Sequence, residues 1–231
     1  MHVPDGFLDA PTSIATGVVA AAAVTVALRG ARRELDDRTA PLAGLVAAFV
    51  FATQMLNFPV GAGTSGHLLG GALAAILVGP CTGLLCMSVV FLVQCLLFAD
   101  GGVTALGTNI VLMGVVTTLV GWLVFRGLQA VLPKRVSMVA PAAGIAALLS
   151  VPAAAAVFVV LYEVGGTVDL SLMTLATAML GVHTLIGVGE GLITFVAVGG
   201  ILAVRPDLVH GARRALTSRE LEIRAPAGVV V

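Results

Sequence analysis

Charge is scarce in this chain: Asp, Glu, Lys and Arg together make up 10% of its 231 residues, against roughly 25% in soluble domains. Hydrophobic residues reach 59% and the mean hydropathy is +1.11, which excludes an ordinary soluble domain. Aromatics are few, at 5% with a single Trp and a single Tyr, so the aromatic girdles of a membrane β-barrel are missing. Three cysteines, Cys81, Cys86 and Cys95, share one apolar stretch with no CxxC spacing and read as small buried hydrophobes. Lys134 is the only lysine, so no GxxxxGK[ST] phosphate loop can form. HExxH is absent, and "GTSGH" does not complete a GxSxG elbow. No enzyme signature and no internal repeat is visible, and no nucleic-acid partner is expected.

What is present is a succession of apolar runs near the roughly 20 residues that cross a bilayer. They fall at about 12–29, 40–57, 67–79, 81–99, 107–127, 137–162 and 179–203. With 28 glycines, these runs suit closely packed transmembrane helices. The fold expected is an all-α membrane protein of about seven transmembrane helices. The third run is short and follows "GTSGH", so it is expected to start below the membrane surface behind a re-entrant loop, which lipid tolerates only where protein or water surrounds it. The basic residues fix an orientation. Arg29, Arg32, Arg33 and Arg38 follow span one; Arg126, Lys134 and Arg135 follow span five; Arg205, Arg213, Arg214, Arg219 and Arg224 follow span seven. These are all twelve Lys and Arg, and seven spans put them on one side, the cytoplasmic one. The N-terminus then lies outside and the C-terminus inside. Residues 1–208 are expected to form one transmembrane domain, and 209–231 a polar cytoplasmic tail in which His210 is solvated.

The opening stretch "MHVPDGFLDAPTS" carries Asp5 and Asp9, contains no Lys or Arg, and precedes the first apolar run. It reads as a retained mature terminus rather than a secretory signal. A free terminus followed by His2 is a compact chelator. The Met1 amine, the deprotonated His2 amide and His2 Nδ1 close a five- and a six-membered ring around one ion and leave one planar position. That geometry suits Ni(II) or Cu(II) better than tetrahedral Zn(II) or oxygen-loving Mg(II). Pro4 offers no further amide and biases Val3 to an extended form. A histidine on a loose end is the alternative reading of His2.

"NFPVGAGTSGH" places His67 on the same outer face, after glycines that let another segment come close. His67 is expected at the start of the short third helix, where it supplies the fourth nitrogen or, equally well, caps that helix or bonds a carbonyl. "GVHTLIGVGEGLITF" puts His183 and Glu190 seven residues apart on one helix face. Polar groups at membrane depth are functional candidates, and packing or support of a metal fits this pair better than ligation. Gln54, Asn57 and Asn109 read as scaffolding for outer loops. An intramembrane hydrolase using Ser65 with His67 or His183 is the weakest alternative.

The stretches "MHVPDGFLD", "QMLNFPVGAGTSGHLLGGALAAILVGP", "LFADGGVTALGTNIVLMG" and "GVHTLIGVGEGLIT" together resemble, over roughly residues 1–204, the cobalt/nickel substrate-binding membrane proteins of energy-coupling factor ABC transporters (the CbiM and NikM group). The resemblance implies seven helices with the first residues inserted into the core. It implies that Met1, His2 and His67 hold the metal under outer loops supported by Asn57, Ser65 and Asn109. Leu112 stands where the family often has a second asparagine. Co(II) or Ni(II) is then a transported ligand, not a cofactor, and feeds cobalamin synthesis or nickel enzymes. The implied partners are a transmembrane coupling subunit, two cytosolic ATPase subunits and a small accessory membrane protein, in a prokaryotic cytoplasmic (inner) membrane. A membrane metal-sensing or scaffold subunit with a structural metal is the alternative from another class.

Overall fold

The computed structural model describes residues 1–36, 39–56, 58–59 and 65–217, and within them the chain is almost entirely helical. The helices are α1 (Ala10–Glu34), α2 (Thr39–Gln54), α3 (Gly71–Val78), α4 (Pro80–Leu97), α5 (Leu106–Asn109), α6 (Thr117–Val131), α7 (Val139–Gly165) and α8 (Leu172–Val204). A π-helical segment, Ile110–Val116, joins α5 to α6 in one continuous rod. The two-residue strands β1 (Phe58–Pro59) and β2 (Ser65–Gly66) pair antiparallel between α2 and α3. Five helical stretches are long and apolar enough to cross a membrane: Ala10–Glu34, Pro80–Leu97, Leu106–Val131, Val136–Gly165 and Leu172–Val204. Helix α2 is shorter, at 16 residues.

Helix α3 is the axis of the bundle, and all eight of its residues are buried. At about 1.5 Å per residue it spans only about 12 Å, less than half of a roughly 30 Å hydrocarbon core. The third apolar run therefore does not form the helix expected over 67–79. Residues 67–70 precede it as irregular backbone, and Gly70, at φ +83°, sets the start of α3. Gly79, at φ +100°, ends it, because an L side chain rarely adopts that backbone. Pro80 then opens α4 at a position where a missing N–H costs nothing. The first amides of α4 find their acceptor on another helix. Glu34, at the end of α1, accepts from Cys81 N (3.2 Å) and Thr82 N (2.7 Å).

Helices α7 and α8 pack backbone to backbone. A Cβ at Gly144 would sit 2.9 Å from the Gly191 carbonyl oxygen, and one at Gly191 would sit 2.8 Å from that of Gly144. This small-residue approach is the usual device of membrane helix pairs. The seventh run also extends further than expected: α8 begins at Leu172, so only residues 166–171 separate it from α7. Outward, the helices expose large apolar residues such as Leu97, Val131 and Leu185, as a lipid-facing surface does.

Residues 209–217 do not behave as a polar tail. Val209, Ala212 and Ala215 are buried in the common core, and Gln129 Nε2 donates to the Gly211 carbonyl at 2.8 Å. The expectation that His210 is solvated is wrong. Its ring lies 5.6 Å from that of Trp122, because the short apolar set at 209, 212 and 215 pulls the turn onto α3 and α6.

Candidate functional site

The first three residues form a plug in the bundle, and Pro4 and Asp5 are exposed. Met1 is 2% and Val3 0% exposed, so the first residues are folded inward. Asn109 fixes the Val3 peptide from both sides: its Oδ1 accepts from Val3 N (2.7 Å) and its Nδ2 donates to the Val3 carbonyl (3.2 Å). The loop after α4 closes over this peptide. Gly102 N donates to the Val3 carbonyl at 3.0 Å, and Asp5 Oδ1 accepts from Thr104 N (2.7 Å) and Thr104 Oγ1 (2.5 Å). Gly101, at φ +91°, makes the turn; a Cβ there would lie 2.8 Å from Asn109 Nδ2 and 3.2 Å from the His2 ring. Further along, Leu8 pairs with Gly166. Asp9 N donates to the Gly165 carbonyl at 2.7 Å, and the Asp9 carboxylate caps α1 through Thr12 N at 2.9 Å.

Inside the plug, the His2 and His67 rings stack with centroids 4.6 Å apart. His2 Nδ1 faces Asp100 Oδ1 at 3.2 Å, and His2 Nε2 faces Gln94 Oε1 at 3.1 Å. His67 does not cap α3; the N-cap of that helix is Gly70. His67 Nδ1 instead bonds the Leu68 carbonyl at 2.8 Å, which assigns its proton there and leaves Nε2, buried and without a protein partner, as a lone-pair donor. His183 repeats the pattern on α8, with Nδ1 on the Met179 carbonyl at 2.8 Å and Nε2 buried and unpartnered.

Electrostatics favour nitrogen donors free of protons. Burial lowers the Met1 amine from its ordinary 8.0 to about 5, although the Asp100 charge pulls the other way. The hydrogen bond from His2 holds the Asp100 carboxyl below the usual carboxylate range. The site therefore gathers an amine, two imidazoles and one carboxylate at its mouth. Among the described residues, no group of three or more His, Cys, Asp or Glu side chains is arranged to hold a metal ion. A chelate built on a terminal amine, a backbone nitrogen and two imidazoles needs no such group.

A buried polar chain supports this cluster. Gln94 receives His2 on its Oε1 and donates through Nε2 to Gln54 Oε1 (2.9 Å); Gln54 Nε2 donates to the Leu69 carbonyl (2.6 Å). The Glu190 carboxylate then accepts from Leu69 N (2.6 Å) and Gly70 N (2.9 Å). Glu190 thus holds the segment that carries His67 and does not pair with His183. Of the residues expected at the site, Met1, His2, His67 and Asn109 come together, with Glu190 behind them. Among the described residues, His183 makes no hydrogen bond or ring contact with this cluster and bonds the Met179 carbonyl of its own helix. Ser65 enters the description only as backbone of β2, and Asn57 lies outside the described residues. Leu112 is fully buried and apolar. Two participants were missed in the sequence, Gln94 and Asp100. Gln94 had a usable signal, an amide in the middle of the run "VVFLVQCLLF".

Residues 2–208 match the family model described as the cobalt uptake substrate-specific transmembrane region, CbiM. A Haloquadratum walsbyi protein named for metal transport is 41% identical over 90% of this chain and 93% of its own length. The fused nickel transport protein NikMN of Rhodobacter capsulatus is 33% identical over 99% of this chain and 69% of its own. A crystal structure described as a transition metal transporter superposes with a TM-score of 0.82 at 25% identity, covering 97% of this chain and 100% of the other.

Proposed function

Because this chain belongs to the CbiM family of cobalt uptake substrate-specific transmembrane proteins, a multi-pass membrane family, we propose that it is the substrate-specificity component of an energy-coupling factor ABC transporter for Co(II) or Ni(II). The observation that carries this reading is the buried Met1 amine beside the stacked His2 and His67 rings.

In this reading the chain crosses the membrane seven times, with the plugged end outside. Support comes from the opposite end of the bundle, which gathers the end of α1, the start of α4, the α6–α7 turn and residues 209–217 with their arginines, as a cytoplasmic face does. Residues 1–208 form the membrane domain, and 209–217 brace its cytoplasmic end. Transition-metal cargo approaches through the carboxylates of Asp5 and Asp100. It binds the Met1 amine, the His2 amide nitrogen, His2 Nδ1 and His67 Nε2. Two of these four, the amine and His67 Nε2, offer a lone pair, so the His2 amide and His2 Nδ1, which bonds Asp100, are the two that must give up a proton. His2 Nδ1 must leave Asp100, and that exchange couples cargo capture to the loop over the plug. Asn109, Glu190 and the Gln94–Gln54 chain position the donors. The cycle is driven by ATP hydrolysis in two cytosolic subunits, transmitted through a coupling subunit, with a small accessory membrane protein.

The test compares protein carrying its native Met1 with protein carrying one alanine before it, each titrated with Ni(II) and Co(II). The added residue turns the amine into an amide, so binding is expected only in the native form, with the absorption of planar Ni(II). Equal binding by both forms would sink the terminal chelate.

A further inference from the structure

The hydrogen bonds behind the His2 and His67 rings can run in one direction only. Two consecutive peptides of the irregular segment before α3 set that direction. Glu190 Oε2 accepts from Leu69 N at 2.6 Å, and Glu190 Oε1 accepts from Gly70 N at 2.9 Å. A trans peptide points its C=O away from its N–H, so the Leu68 and Leu69 carbonyls face the other way. The Leu68 carbonyl meets His67 Nδ1 at 2.8 Å, and the Leu69 carbonyl meets Gln54 Nε2 at 2.6 Å. A carbonyl accepts and cannot donate, so both of these nitrogens are donors.

From Leu69 the polarity passes through two side chains. Gln54 gives its amide N–H to the carbonyl and so turns its Oε1 to Gln94 Nε2, at 2.9 Å. Gln94 is left with its Oε1 for His2 Nε2, at 3.1 Å. Flipping either amide, or both, would set two acceptors face to face, and both glutamines are fully buried. His2 Nε2 is therefore a nitrogen that carries a hydrogen. The same ring meets a competing acceptor, Asp100 Oδ1, 3.2 Å from its Nδ1. Without Gln94, that carboxylate would draw the hydrogen of a neutral ring to Nδ1. A hydrogen there blocks the chelate, because only Nδ1 can close the six-membered ring with the His2 amide.

We propose that Gln94, oriented by Gln54 and the Leu69 carbonyl, is a positioning residue for cargo capture: it holds the His2 hydrogen at Nε2 and so reserves Nδ1 for the ion. Adjacent carbonyls thereby set the two histidines to opposite tautomers, His67 opening Nε2 and His2 opening Nδ1. A hydrogen bond at the far nitrogen of a metal-binding imidazole fixes its tautomer and orients its ring. Here that bond is dictated from three groups away, and Glu190 acts on both rings through the two peptides it holds. The proposal rests on the terminal chelate proposed above.

The experiment is a long-range proton–nitrogen correlation spectrum of native-Met1 protein in micelles, labelled with isotopic histidine, which reads which ring nitrogen carries hydrogen. The His2 signals are assigned by their loss in His2→Ala. In the metal-free parent, His2 Nε2 is expected to carry hydrogen. Gln54 is one step removed from His2 along the bonded chain, and Gln54→Leu frees Gln94 to turn its Nε2 to the ring. In that variant the hydrogen is expected to leave Nε2 for Nδ1, and Ni(II) affinity to fall about three- to tenfold. Gln94→Glu presents acceptor oxygens only, so adding it to Gln54→Leu should restore both readouts. A His2 Nε2 without hydrogen in the parent overturns the proposal, whether or not any variant folds. So does Gln54→Leu that melts near the parent temperature with the hydrogen unmoved, or moved with Ni(II) affinity unchanged. A parent with the expected spectrum that binds no Ni(II) removes the chelate and this proposal with it. Because the spectrum is taken without metal, that failure is distinct from failure of the relay.

Discussion

Replacing Asn109 by leucine removes the two hydrogen bonds that hold the Val3 peptide while keeping the side-chain size. The consequences differ for the two ends of that peptide. The Val3 carbonyl keeps a donor, Gly102 N at 3.0 Å, whereas the Val3 N–H loses Asn109 Oδ1, its acceptor among the described residues. Val3 is fully buried, so the docked terminus carries one unsatisfied amide at a cost of about 1–3 kcal/mol. At about 1.4 kcal/mol per decade, the ratio of docked to released terminus falls roughly 5- to 150-fold. The readout is acylation of the Met1 amine by an amine-selective reagent. Lys134 is the only lysine in the chain, so the products are resolved by mass. The buried amine of the parent should react slowly, and that of Asn109→Leu faster by the same ratio. Metal affinity weakens only as far as the docked fraction falls below one, so labelling is the more sensitive measure. Asn109→Asp, which keeps the acceptor toward Val3 N, should fall between the two. Identical labelling in all three proteins would refute the claim that Asn109 holds the terminus.

Glu190→Gln leaves one acceptor where two backbone amides, Leu69 N and Gly70 N, now bond a carboxylate. A melting-temperature loss equivalent to about 2–4 kcal/mol is expected, with weaker Ni(II) binding through His67; unchanged melting would show that the two bonds are dispensable. The Met1 amine, at about 5 when buried against an ordinary 8.0, binds fewer protons docked than released. Docking of the metal-free terminus therefore strengthens as pH rises from 5 to 8, by up to about tenfold per unit, and acylation measured after correction for the intrinsic amine titration should show that slope. Glu34→Gln removes the charge from the bonds to Cys81 N and Thr82 N at the α4 start. It should cost about 1 kcal/mol without changing metal affinity, a split that thermal melting and titration together would reveal.

Much of this was legible in the sequence, and the reasons are local. Apolar runs and the one-sided arginines gave the helices because length and charge act on each segment separately. The His2 and His67 pairing was legible because its chemistry is written in a terminal amine and a glycine-rich approach to a histidine. The extent of the third helix was not, because Gly70 is apolar by composition and a breaker only by its backbone angle. Asp100 was read as loop because its role is to meet His2, 98 positions away in the chain by their numbers. The packing of His210 was hidden for a related reason. Arginines dominate the composition around it, and the buried set at 209, 212 and 215 is too short to show a period.

The distances along the chain between bonded partners give the site an order of assembly. Val3 waits for Asn109, 106 residues later, and the His67 segment waits for Glu190, 121 residues after Leu69. The first residues to leave the ribosome are thus the last to reach their places. A nascent or truncated chain presents the amine and histidines separately, with no enclosure to hold an ion. In the proposed reading, metal capture is in this way reserved for a polypeptide whose final helix is already in place.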